Sequence, residues 1–161
     1  MQALTKEQGL FELTLLNAEM SREQFDDFLV AGLNRGIPAE IITRLQSLWD
    51  FTKKIAGEVV VVGKIIVQKI IEFLKENPKL AIGLALGAAV GALIAGIPFL
   101  GPLLAPLATG ISMIYGAAVG AAKDAGADSS DTYESALNLA KKFFELLQGI
   151  MVSIKDYYLA G

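Results

Sequence analysis

The chain contains neither cysteine nor histidine in its 161 residues. Without cysteine it can form no disulfide, no thiolate nucleophile and no cysteine–metal bond. Without histidine it lacks the most common metal ligand and the side chain that titrates near neutral pH. We therefore expect a protein that is not an enzyme and that carries no metal and no cofactor.

The sequence also lacks an excess of positive charge, since its formal net charge is −3. Proteins that bind nucleic acids obtain much of their affinity by neutralising phosphates, so this balance argues against a nucleic-acid partner. The N-terminal residues are polar and mixed in charge, with no basic segment leading into an apolar one. That pattern predicts no secretory signal peptide.

A third absence is local, because residues 80–122 contain no charged side chain. Lys79 and Lys123 bracket this stretch of 43 residues, which consists mostly of glycine, alanine, leucine, isoleucine and valine. A helix crosses the ~30 Å hydrocarbon layer of a membrane with ~20 residues. The stretch is therefore long enough for two crossings.

Proline and glycine lie at the centre of this uncharged stretch. Pro98, Gly101 and Pro102 can end one helix and permit a sharp reversal of the chain. The sequence thus predicts a hydrophobic helical hairpin with arms at about 80–97 and 103–122. Both ends of the hairpin would then lie on one side of a membrane, and the flanking lysines favour the cytoplasmic side.

Small residues recur at every fourth position along both arms of the predicted hairpin. In an antiparallel pair with its axis between Gly101 and Pro102, the two rows of small residues would face each other. Facing small residues let two helix backbones approach closely, which stabilises helix pairs in lipid. The predicted contacts join Gly83 to Gly120, Gly87 to Gly116, Gly91 to Ser112, and Ala95 to Ala108.

Residues 1–36 have the pattern of a small helical module. Thr5 and Gln8 have the sequence of a capping box at the start of a first helix, and apolar residues follow at helical spacing. Ser21 repeats this signal for a second helix, and Gly36 is suited to end that helix in the left-handed conformation.

Residues 37–79 are predicted to form one long basic amphipathic helix, in which Gly57 and Gly63 are the positions where it could bend. The valines at positions 59–62 favour a strand, but polar residues recur at close to helical spacing through the segment. A basic edge beside a wide apolar face is typical of a helix that lies on anionic lipid. A helix that packs against a core and exposes its lysines fits the pattern equally well. The lysines predicted to meet lipid headgroups are Lys53, Lys54, Lys64, Lys69, Lys75, Lys79 and Lys123.

The fold class predicted from these segments is all-α. A last amphipathic helix is expected over residues 131–158, with apolar residues at spacings of three and four and a capping pair at Asp131 and Glu134. The amphipathic helices would surround the hairpin as one structural unit embedded in a membrane.

In this layout the chain resembles the pore-forming domains of colicins. Those domains carry a hydrophobic hairpin rich in glycine and alanine near the C-terminus, surrounded by amphipathic helices and followed by one last helix. Here residues 80–122 correspond to the hairpin, 5–77 to the preceding helices and 131–158 to the final helix. The resemblance is one of architecture rather than of a sequence motif, and this chain is short for such a domain. It implies a protein that inserts its hairpin into a bilayer.

The sequence leads to three hypotheses about function. The first is a membrane-inserting hairpin protein of the pore-forming type, which forms homo-oligomers, has anionic lipid as its partner and uses no small-molecule substrate. The second is a non-conducting membrane anchor whose helices assemble a scaffold or shape the membrane. The third is a soluble helical oligomer that keeps the hairpin buried.

Overall fold

The computed structural model describes residues 4–19, 22–34, 36–124 and 127–160, and within these ranges it describes no side chain of 22–23 or 116–132. The described residues are mostly helical, with one antiparallel sheet of two short strands. The helical fold class is thereby confirmed. In chain order the elements are α1 (Lys6–Glu19), α2 (Arg22–Asn34), α3 (Ala39–Trp49), β1 (Lys53–Ile55), β2 (Glu58–Val60), α4 (Val62–Glu76), α5 (Ile82–Gly96), a 3₁₀ turn (Pro98–Leu100), α6 (Gly101–Asp124), α7 (Ala127–Phe143), α8 (Glu145–Ser153) and α9 (Lys155–Ala160).

The start of α1 shows the predicted capping box. The backbone N–H of Gln8 donates to Thr5 Oγ1 at 3.1 Å, and the backbone N–H of Thr5 donates to Gln8 Oε1 at 2.9 Å. The first N–H groups of a helix have no partner within it, so these bonds stabilise the helix start. The second capping signal, at Ser21, lies outside the described residues.

The end of α2 is closed by glycine, as the sequence predicts. Gly36 has a φ of 95°, in the left-handed region that glycine adopts without steric cost. Its N–H donates to the carbonyl of Leu33 at 3.2 Å, and the N–H of Ile37 donates to the carbonyl of Gly32 at 2.9 Å. These two bonds form a Schellman motif, which ends α2 and turns the chain towards α3.

The single helix expected over residues 37–79 is interrupted in the structure. Two helices, α3 and α4, are separated by a β-hairpin in which β1 pairs with β2. The turn residues Ala56 and Gly57 have φ values of 53° and 85°, as a tight two-residue hairpin turn requires. Because this turn gives the valines of β2 a strand partner, their β preference prevails over the helical spacing of the polar residues.

The helix expected over residues 131–158 begins earlier and is divided into α7, α8 and α9. Asp131 and Glu134 therefore lie inside α7 rather than at its start. The breaks fall at Phe144 and Ile154, which have ψ values of 6° and 13°. Both side chains are buried. The two bends therefore lie in the part of this segment that packs against the core.

The hydrophobic hairpin is present as α5 and α6 joined by the 3₁₀ turn. Its arms begin and end within two residues of the predicted positions. Pro98 opens the turn, and Gly101 is the first residue of α6. Pro102 follows in the first turn of α6, where a missing N–H removes no helical hydrogen bond. The reversal therefore occurs at the predicted proline and glycine residues.

Candidate functional site: the apolar hairpin

The first arm of the hairpin, α5, lies in the centre of the fold. It packs against α4, α6, α7 and α8. Leu86, Ala88 and Ala89 have no exposed surface. A helix that is apolar on every side is stable only in a protein core or in a membrane. The fold therefore separates most of α5 from water.

The second arm, α6, is much more exposed. Ala105, Thr109 and Ser112 are exposed, and Met113 keeps 70% of its surface in solvent. Within the described part of the chain, Pro98–Tyr115 is the one stretch long and apolar enough to cross a membrane by length and composition, and 28% of it is buried. α5 is apolar too but shorter.

The described contacts between the two arms involve large side chains of α6, and the predicted partners Gly116 and Gly120 lie outside the described side chains. A Cβ added to Gly83 would lie 2.3 Å from Tyr115 Cδ1, so the tyrosine ring lies directly against this glycine. A Cβ added to Gly87 would lie 4.0 Å from Ile111 Cγ2. Among the described side chains of α6, a tyrosine and an isoleucine thus lie against these two glycines of α5. The physical reason is that a glycine leaves space on a helix surface that a ring can fill.

Other members of the predicted packing set also lie in different surroundings. Gly91 faces α7, where an added Cβ would lie 3.4 Å from Tyr133 Oη. Ala95 and Ser112 are exposed, and Ala108 is half-buried. The middle of the glycine row is therefore covered by α7. The surroundings of two further members lie outside the described residues, namely Gly116 and Gly120.

The turn of the hairpin packs against the C-terminal helix. The rings of Phe99 and Tyr158 have centroids 4.9 Å apart. Lys53 Nζ lies 5.0 Å from the centroid of the Tyr158 ring, within the range of a cation–π contact. Burial raises the pKa of Tyr158 because the phenolate would lose hydration. β1, α9 and the turn thus meet at this end of the molecule.

The lysines predicted to meet lipid have two kinds of environment in the compact fold. Lys53 is held by Tyr158 as described, and Lys64 donates to a backbone carbonyl of α1. Lys69 Nζ lies 3.1 Å from Glu72 Oε2. These three lysines are bound within the protein. The others with described side chains are exposed, namely Lys54, Lys75 and Lys79, and the side chain of Lys123 is not described.

The helix that carries three of these seven lysines, α4, is a core helix. Ile65, Ile66, Ile70 and Phe73 are each no more than 1% exposed. Two alternatives were open for this segment, a helix lying on lipid and a helix packed against a core. The structure shows the second arrangement.

Sequence reasoning missed the side chains that hold α6 in place. The sequence patterns predict no specific contact for Tyr115, Ile111 or Arg44. Arg44 lies on α3 and bonds to the carbonyl of Pro106. Contacts between residues so far apart in the chain leave no local pattern. Gly110, a glycine outside the fourfold row, is the position of α6 against which Arg44 lies.

The fold and the hairpin define a compact helical protein built around an uncharged pair of antiparallel helices. Among the described residues, no group of three or more acidic side chains is placed to bind a metal ion. No protein family, curated protein or solved structure matches the chain. Its own geometry is therefore the basis for assigning a role.

Proposed function

We propose that this protein is a membrane-inserting helical-hairpin protein that forms homo-oligomers and permeabilises bilayers. The observation that supports the proposal is the unequal burial of the two uncharged arms, with α5 enclosed and α6 exposed along much of its described length. In this proposal the compact fold is the form that persists in water. α6 meets the bilayer first, and α5 follows.

The hairpin is the part of the chain whose transfer from water into a bilayer costs the least free energy. Residues 80–122 carry no charge, so no ionised group has to leave water, and helices satisfy their own backbone groups. By contrast, α4 is apolar on one face but carries Lys64 and Lys69. Each lysine would cost about 2.5–3.5 kcal/mol at the centre of a bilayer.

The two arms have different lengths, which also bears on insertion. α6 has 24 residues and extends about 36 Å, enough for the ~30 Å hydrocarbon layer. α5 has 15 residues and extends only about 22 Å. The neighbouring residues 80–81 and 97 are uncharged, so α5 would lengthen into them, with some thinning of the bilayer around it.

Exposed lysines point to anionic lipid as the partner. Lys75 and Lys79 lie at the open end of the hairpin, and Lys54 lies on β1, all exposed. A lysine near an anionic membrane surface contributes about 1 kcal/mol to binding. In the inserted form the lysine-bearing ends of the hairpin would stay on the cytoplasmic side.

The proposal can be tested by locking the hairpin into the compact fold. The chain has no cysteine, so Gly91→Cys with Leu137→Cys would create a single disulfide between α5 and α7. A Cβ on Gly91 would lie 3.5 Å from Leu137 Cδ1, so the two residues are in contact between α5 and α7, and formation of the bond is verified before leakage is measured. We expect the reduced protein to release dye from anionic liposomes and the oxidised protein to release none.

The reduced form of the same variant is the matched control, and thiol titration with a non-reducing gel shows that the bond is intramolecular. Dye release by both forms would contradict the proposal. Liposomes that stay sealed although the reduced protein has bound to them would contradict it as well.

A second candidate function is a non-conducting membrane anchor that assembles a scaffold. It is favoured by one observation, namely that residues 80–122 offer no charged side chain to line a path for water or ions. Electron microscopy of the protein on liposomes separates the two functions. Ordered coats or tubules on sealed vesicles support the anchor, and leakage without such order supports the pore-forming protein.

The soluble alternative gives a third outcome of the same measurements. If the protein remains in the aqueous phase and never binds liposomes of any charge, α5 serves only as a core helix. The enclosed position of α5 is compatible with that role, so lipid binding has to be measured before leakage is interpreted.

A further inference from the structure

Arg44 connects α3 to the exposed arm of the hairpin. Its guanidinium Nη1 donates to the carbonyl of Pro106 in α6 at 2.5 Å. Its Nη2 donates to Glu40 Oε1 at 2.9 Å, one turn earlier on α3. The carboxylate of Glu40 therefore orients the guanidinium, and the guanidinium bonds to the backbone of the hairpin.

The surface of α6 leaves space for this arginine. A Cβ added to Gly110 would lie 2.6 Å from Arg44 Cδ and 2.7 Å from Arg44 Nε. The arginine stem thus lies flat across the glycine, one turn beyond the carbonyl that it binds. Nε is buried without a hydrogen-bond partner among the described residues. Such a group weakens the contact, since burying an unpaired donor is unfavourable.

This contact belongs to the compact fold and cannot persist in lipid. A guanidinium in the hydrocarbon layer is strongly disfavoured, so α6 would have to separate from Arg44 before it enters a bilayer. We propose that Arg44 is a positioning residue that holds α6 on the compact fold and sets how readily this arm separates. The proposal rests on the proposed function for its biological role, but the separation itself occurs in water.

The first test is hydrogen exchange of the full chain without lipid. For Arg44→Ala we expect the amides of α6 over residues 101–115 to exchange about tenfold faster, because a charge-assisted hydrogen bond is lost. The amides of α4 should keep their exchange rates. Equal acceleration in α6 and α4 would mean that Arg44 only supports global stability, and an unchanged α6 would also overturn the proposal.

Gly110→Ala provides an independent test that leaves the arginine in the sequence. Alanine favours helix over glycine, so this change alone would slow exchange in α6. If the added Cβ displaces Arg44, exchange in α6 becomes faster instead. Gly101→Ala is the matched control, because a Cβ there would meet nothing within 4 Å. Slower exchange in both variants would overturn the proposal.

The conservative variant Arg44→Lys separates charge from geometry. A single ammonium cannot reproduce the two-branched contact of a guanidinium. We therefore expect α6 exchange between that of the native chain and that of Arg44→Ala. Lys69→Ala removes an ion pair on α4 instead, and it should leave α6 exchange unchanged.

The final measurement uses anionic liposomes and distinguishes this proposal from the proposed function. If α6 of the Arg44→Ala variant opens faster in water and the variant also releases dye faster, the result supports both the role of Arg44 and the pore-forming function. Faster opening with sealed vesicles for native and variant proteins alike supports the role of Arg44 in holding α6 and rejects the pore-forming function. Equal dye release by native and variant proteins, despite faster opening, rejects the role of Arg44 in controlling insertion.

Discussion

The two arms of the hairpin are both uncharged between residues 80 and 122 but have opposite environments. α5 is enclosed by four helices, whereas much of α6 is exposed through residue 115. α5 is therefore needed to build the core, and α6 covers one side of it. A helix with few buried contacts opens at a lower free energy than one in the core. The comparison indicates that α6 is the arm able to leave first.

The largest expected effect comes from truncating one side chain in each arm. Leu86 on α5 has no exposed surface, so Leu86→Ala should lower the free energy of unfolding by about 2–5 kcal/mol. Met113 on α6 is 70% exposed, so Met113→Ala should change it by no more than about 0.5 kcal/mol. Denaturant titration measures both. Similar losses in the two variants would break the comparison.

A charge on the exposed face of α6 should separate folding from insertion. Ala105 is exposed, so Ala105→Lys should alter the free energy of unfolding by about 0.5 kcal/mol or less. In a bilayer the added lysine would lie near the turn end of α6, where a charge costs less than the ~2.5–3.5 kcal/mol of the helix centre, and dye release should fall about tenfold. Thr43→Lys, at an exposed position on α3, serves as control. Undiminished release by Ala105→Lys would show that α6 stays outside the bilayer.

Two glycines of α5 should respond in opposite directions to the same change. Gly83→Ala would force a Cβ to 2.3 Å from the Tyr115 ring, and such overpacking costs about 1–3 kcal/mol. At Gly87 the nearest atom of Ile111 would lie at 4.0 Å. Gly87→Ala should therefore stabilise α5 by up to about 1 kcal/mol. Thermal unfolding of the two variants decides the matter, and equal shifts would favour a uniform glycine row over the observed contacts.

The smallest expected effect concerns the turn between the arms. Burial raises the pKa of Tyr158, so the folded state favours the neutral phenol. This contribution to stability is complete below the unfolded-state pKa of about 10 and is lost as the pH rises through the raised value. Tyr158→Phe should remove that part of the alkaline decline. If unfolding free energies of native and variant proteins fall in parallel above pH ~10, ionisation of Tyr158 does not loosen the turn.

Much of the hairpin could be predicted because its signals are local. The absence of charge, the apolar composition and the proline positions predict the ends of both arms to within two residues of those observed. The capping box at Thr5 and Gln8 and the left-handed Gly36 were likewise predictable. Each of these features depends on residues that are adjacent or one turn apart.

The register of the hairpin could not be predicted in the same way. The row of small residues predicts pairs that include Gly116 and Gly120, whose surroundings are not described. The contacts of Gly83 with Tyr115 and of Gly91 with α7 had no signal in that row. The sequence shows which positions have space and does not show which neighbour fills it. The β-hairpin at Ala56 and Gly57, where the sequence predicts at most a bend in a helix, could not be predicted for a related reason. Local strand and helix preferences conflicted there, and only the pairing of β1 with β2 resolved the conflict.

By itself, the sequence of this protein determined a helical chain with one long uncharged hairpin, because helix starts, helix ends and hydrophobic length are encoded within a few turns. Tertiary structure decided which arm is buried, which lysines are bound within the protein and how Arg44 reaches α6. Those outcomes depend on contacts between residues far apart in the chain. Such contacts are fixed by the volume and charge of side chains that meet only after the helices have packed.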